Sequence, residues 1–183
     1  MLYEQFKVRA EGVSAEVFRF VTRDEALAHL LAFLHKEGLA DSPQSTALWA
    51  ECSYLNGMDR DTLSKHAGLK FEVTRELAAS ARFGISQMEW ALADTGSLAQ
   101  NSTAIEQRLV SSLPSIHIAL VPTNGILPDM PSLLSRVHPK ECAYLALITG
   151  PSRTADIERV LTIGVHGPDR LIIIFVDELG GNN

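Results

Sequence analysis

Three short apolar runs dominate the second half of the chain: Ile116 to Val121 (IHIALV), Ala143 to Thr149 (AYLALIT) and Leu171 to Val176 (LIIIFV). None approaches the ~20 residues that cross a bilayer. A strand that is apolar at nearly every position has no face to give to water, so it must be covered on both sides. That is the condition of a parallel sheet held between two layers.

The remaining pattern supplies those layers. Residues 1–12 read as an N-terminal helix, and Ser14 to Val21 as the first strand. Thr22 and Glu25 have the spacing of a capping box. Leu27, Leu30, Leu31 and Leu34 follow on one helical face, and Gly38 is placed to end that helix in a left-handed conformation. Ser45 to Ala50 and Leu69 to Thr74 read as strands, and 59–67, 75–81, Pro131 to Val137 and Asp156 to Ile163 as helices. Asp94-Thr95-Gly96-Ser97 is a turn signal between two extended runs. Strands alternating with helices, without a linker or repeat, predict one three-layer α/β/α domain with a largely parallel sheet over residues 1–183.

Composition narrows the function classes. The formal charge is −6, with acids and bases interspersed, which argues against nucleic acid as the main partner. The opening MLYEQFKVRAEG has no apolar core of a signal peptide. Cys52 and Cys142 stand alone, and two thiols cannot supply the four ligands of an iron–sulfur cluster or of a structural zinc. So few cysteines suit a reducing compartment, and the expected location is the cytoplasm. No metal and no cofactor is expected on this chain.

Chemistry is concentrated in three segments. In the first, Thr149-Gly150-Pro151-Ser152-Arg153-Thr154 leaves an apolar run and enters a helical pattern carrying Asp156 and Glu158. At a strand end this would bring hydroxyls, free helical N–H groups and a guanidinium fork together for an anion. The same residues also read as a helix cap, with acids that suit the helix dipole. It is neither a Walker loop nor a GxGxxG fingerprint. In the second segment, His166 and Gly167 lie in Gly164-Val165-His166-Gly167-Pro168 and read either as acid/base chemistry or as a turn. In the third, Asp94, Thr95, Gly96 and Ser97 read as a polar ligand turn, or as a turn bonding its own backbone. His117, inside an apolar strand, reads as a core histidine.

ITGPSRTADIE with GVHGP, preceded by GISQMEWALADTGS and LPSIHIALVP, resembles the LUD domain of the lactate-utilisation C family, best over 83–177. FKVRAEGVSAEVFRF resembles the family's opening. The resemblance implies a NagB/RpiA/CoA-transferase-like fold. It also implies a bacterial role in oxidising L-lactate to pyruvate beside partner subunits that carry iron–sulfur clusters. On that reading the chain is an accessory or small-anion-binding component. The alternative is an enzyme acting on a phosphorylated, folate or CoA-like small molecule, as fold relatives do. The resemblance carries site status to Asp94, Thr95, Gly96, Ser97, Thr149 to Thr154, Asp156, Glu158, His166 and Gly167. The chain departs from the family in two places. Ser86-Gln87-Met88-Glu89 stands where the family's run resembles TGAD, and Asp169 intervenes before Arg170 where an Arg often follows GVHGP directly.

Overall fold

In the computed structural model, residues 1–138, 140–152 and 167–180 are described. The chain opens with α1 (Leu2–Gly12), β1 (Glu16–Phe20) and α2 (Arg23–Lys36). It continues through β2 (Ala47–Trp49), α3 (Arg60–Leu63), β3 (Leu69–Lys70), α4 (Arg75–Ser80) and β4 (Phe83–Gln87). A hairpin, β5 (Trp90–Leu92) and β6 (Ser97–Asn101), leads to α5 (Ile105–Ser112) and β7 (Ile116–Pro122). Then come β8 (Ile126–Leu127), α6 (Met130–Leu134), β9 (Leu145–Ile148) and β10 (Arg170–Val176).

Six strands form an all-parallel sheet in the order β1-β10-β7-β4-β2-β3. Its central strands send alternate side chains to opposite faces. From β10, Ile172, Ile174 and Val176 enter one core with Leu30 and Leu34 of α2, Trp49 and Tyr54. Leu171, Ile173 and Phe175 enter a second core with Phe6 and Ala10 of α1. Phe6 meets the Phe175 ring edge-on at 5.1 Å. The result is a three-layer α/β/α arrangement, as the continuous apolar runs predict. The second face is covered by more than helices. A smaller sheet, β8-β5-β6-β9, lies there and gives Ala91 and Leu98 to the α1 core.

Local signals explain the elements that were legible. The capping box forms as spaced: Thr22 accepts from Glu25 N–H, and the Glu25 side chain accepts from Thr22 N–H. Gly38 follows α2 with φ +91°.

Two expectations are corrected. The run 143–149 is not a buried strand of the parallel sheet. Only Leu145–Ile148 pair, antiparallel to β6 at the edge of the small sheet, and Leu147 is 46% exposed. An antiparallel edge can leave one face to solvent, and apolar content alone does not reveal that. Of Leu69 to Thr74, two residues pair and the rest leave the sheet. The sequence reading also lacks β4, which lies at the centre of the parallel sheet, together with α5 and β8. Gly84 and Ser86 dilute its strand signal, and the glycine has a packing reason. A Cβ there would meet the Val110 carbonyl of α5 at 1.8 Å. The expected helix at Asp156 to Ile163 lies outside the described residues.

Gly84→Ala should therefore destabilise the protein by about 3 kcal/mol or more, because backbone on both sides must move. Thr22→Ala should cost about 1 kcal/mol. Urea unfolding of the two variants beside the parent checks the ranking, and equal losses would contradict it.

Candidate functional site

The β5–β6 hairpin carries two groups of polar residues, one at each end. At its turn, the Ser97 hydroxyl donates to Thr95 Oγ1 at 2.8 Å. It lies 2.7 Å from Thr149 Oγ1, which is left as the donor to Ser97. The pairing of β6 with β9 brings this about, since Leu98 opposes Ile148 one residue inward. The 94–97 turn and the start of the 149–152 loop thus meet directly. They meet across an antiparallel pair, not at the carboxyl edge of the parallel sheet.

The flanking residues are held by α1. Gly96 has φ +69°, and a Cβ there would lie 2.4 Å from Ala10 N. Gly150 has φ +68°, and a Cβ there would lie 2.6 Å from the Val13 carbonyl. Both glycines are therefore required by close approach to this chain's own backbone. Pro151 is buried, Ser152 N–H donates to the Pro168 carbonyl at 2.7 Å, and Gly167 packs against the Ser152 side chain. Asp94 and Thr95 are exposed. Arg153, Thr154, Asp156, Glu158 and His166 lie outside the described residues.

The other end of the hairpin is where β4 leaves the parallel sheet, and it is formed by the departing run 86–89. Ser86 Oγ lies 2.8 Å from His117 Nε2, with both residues fully buried between β4 and β7. Burial pushes His117 down to about 3, so its imidazole stays neutral, and Nδ1 has no partner. Gln87 Oε1 accepts from Tyr54 N–H at 2.8 Å, and Gln87 Nε2 donates to Ser53 Oγ. Gln100 ties the hairpin to this edge by donating to the Gln87 carbonyl and to Gln107 Oε1.

Glu89 sits one step beyond, past the carboxyl end of β4, where ligand crevices of open parallel sheets form. Its N–H donates to the Ala99 carbonyl, and its Oε2 accepts from Asn101 N–H at 2.9 Å. Burial raises its carboxyl to about 7, and the Asn101 bond offsets that only in part. It lines a cavity of about 260 Å³ with Trp90, Asn101, Arg136, His138 and Cys142. Asp129 caps α6 by accepting from Ser132 N–H at 2.9 Å, and the chain after α6 brings Arg136 and His138 to the cavity. Asn101 Nδ2 donates to the Glu141 carbonyl and holds the opposite wall. The sequence reading did not single out Glu89. The available signal was a lone acid between Met88 and the apolar run Trp90-Ala91-Leu92-Ala93.

Together these features define an α/β domain whose polar chemistry lies at both ends of a hairpin covering one face of a parallel sheet. The family model for the LUD domain matches residues 3–176, and the chain belongs to that family. The lactate utilization protein C of Exiguobacterium sp. is 28% identical over 187 residues, covering 97% of this chain and 79% of that protein. The protein of the same name from Halalkalibacterium halodurans is 35% identical over 109 residues, 56% of this chain and 47% of that protein. Uncharacterized protein YkgG of Escherichia coli is 31% identical over 107 residues, 55% of this chain and 46% of that protein. The latter two alignments thus span about half of those relatives. A DUF162 family protein of known structure from Deinococcus radiodurans has the same fold, with a TM-score of 0.61 at 19% identity over 96% of each chain.

The buried dyad has a pH signature. The folded-state pKa of His117 lies below its ordinary value of 6.5, so its contribution is complete above 6.5 and is lost as pH falls toward 3. His117→Leu should flatten that acid limb of the stability curve. Ser86→Ala, which strands the imidazole, should cost about 1–3 kcal/mol near neutral pH. Urea midpoints across pH 3–8 check both, and an unchanged acid slope in His117→Leu would contradict the assignment.

Proposed function

We propose that this chain serves bacterial L-lactate utilisation as an accessory component that binds a small anion. It works in the cytoplasm beside partner subunits carrying the iron–sulfur clusters that oxidise lactate to pyruvate. The observation that carries this reading is the LUD-domain match over residues 3–176, together with relatives named lactate utilization protein C. Two further features support it. The chain's two cysteines are too few for a cluster of its own, which is in keeping with a reading that puts the electron-transfer centres on partners. Ser97 and Thr149 hold the 94–97 turn against the start of the 149–152 loop, so the hydroxyls of Thr95, Ser97 and Thr149 are grouped where a small anion would be received.

The test is genetic and biochemical together. Deleting the gene for this chain should slow growth on L-lactate at least tenfold while leaving growth on glucose unchanged. A tagged copy should restore growth and co-purify with iron-containing subunits, and the purified assembly should lose lactate oxidation when this chain is left out. Normal growth on lactate in the deletion strain, with no iron-containing partner retained, would overturn the reading.

A further inference from the structure

The cavity beneath Glu89 has a composition that the hydroxyl turn lacks. Its lining joins a half-buried carboxyl, an exposed guanidinium from Arg136, an exposed imidazole from His138, and apolar surface from Trp90 and Val137. Among the described residues neither Glu89 nor Arg136 makes an ion pair, although the two line the same space. Ser97 and Asn101 mark opposite ends of β6, so this cavity lies about 13 Å along the strand from the hydroxyl turn.

We propose that this cavity is a separate binding site for a small monocarboxylate, whose carboxylate is held by Arg136 with Glu89 as its second polar partner. The planar guanidinium fork matches a carboxylate in two parallel bonds. A neutral carboxyl has one O–H to donate, whereas an ionised one would repel the ligand. Trp90 and Val137 form the apolar wall against which a short alkyl chain packs. A volume of about 260 Å³ admits an organic acid of a few carbons with water. The remaining charged group in the lining, Glu141, is exposed, where solvent screens its opposition to an anion.

The site is therefore proton-linked. Burial raises Glu89 to about 7, and a bound anion raises it further, so the protein takes up a proton on binding above that pH. Affinity falls by up to about tenfold per pH unit above 7. His138 lines the same cavity, so its contribution is separated by a variant. The site does not rest on a role in lactate utilisation, because its ligand class follows from the polar pair Arg136 and Glu89, the apolar wall and the volume of the cavity.

The experiment is a two-dimensional amide NMR titration of the full chain with sodium acetate, L-lactate, pyruvate and inorganic phosphate at pH 6.0 and 8.5. The expected result is binding of at least one monocarboxylate, at least tenfold tighter at pH 6.0, with shifts at Asn101, 136–138 and 140–142. Arg136→Gln, a change at an exposed position, should weaken binding at least tenfold with the melting temperature unchanged. Glu89→Gln should keep binding and lose the pH dependence, and His138→Gln should keep both. Absence of carboxylate binding at pH 6.0, binding of phosphate alone, equal affinity at the two pH values, or pH dependence surviving in Glu89→Gln would each overturn the proposal. Growth on lactate is not read in this experiment, so its failure leaves the functional reading to its own test.

Discussion

The arrangement depends on the burial of the central parallel strands on both faces. β10, β7 and β4 cannot give either face to water, so each face needs a cover of its own. On one face α2 supplies it, with Leu30 and Leu34 packed on Ile172, Ile174 and Ile118. On the other, α1 covers Phe175 and Ile173, and the β5–β6 hairpin completes the layer through Ala91 and Leu98. The hairpin can reach that face only because the chain changes sheets within Met88 and Glu89. Met88 N–H still bonds the β7 carbonyl of Leu120, whereas Glu89 N–H already bonds Ala99 of β6. A carboxylate at this crossing loses part of its water without gaining an ion-pair partner among the described residues, and this desolvation raises its pKa.

The hairpin also links the two polar groups. Its turn is fastened to α1 by the close approach of Gly96 and to β9 by the Ser97–Thr149 bond. Its open end is fastened to the parallel sheet by Gln100 and to the 141 loop by Asn101. Each end is thus held by hydrogen bonds to segments distant in sequence. Such holding suits binding groups whose spacing must be kept.

Much of this was legible because some signals are local. The β-branched runs of β7 and β10, the Thr22–Glu25 cap and the turn at 94–97 depend on neighbours within a few residues. Signals that depend on a distant partner were misread or missed. AYLALIT has the composition of a buried strand, yet Tyr144 and Leu147 are about half exposed because β9 lies at a sheet edge. FGISQ has weak strand composition, yet it is central because Gly84 admits α5. Of the candidate site, Thr95, Ser97 and Thr149 do come together. Gly96 and Gly150 are glycines for the sake of α1 and Val13, which single-sequence spacing cannot reveal. Glu89 was overlooked because its character comes from burial at a crossing whose first strand, β4, was itself unread.

The β4–β5 crossing is therefore defined by the state of one carboxyl, that of Glu89. The most direct measurement is a ¹³C NMR titration of the glutamate side-chain carboxyl carbons, with the Glu89 signal identified by its absence in Glu89→Gln. A desolvated carboxyl at the β4–β5 crossing predicts a midpoint near 7. A midpoint at the ordinary value of 4.5 would show that the crossing is wet and would contradict the account.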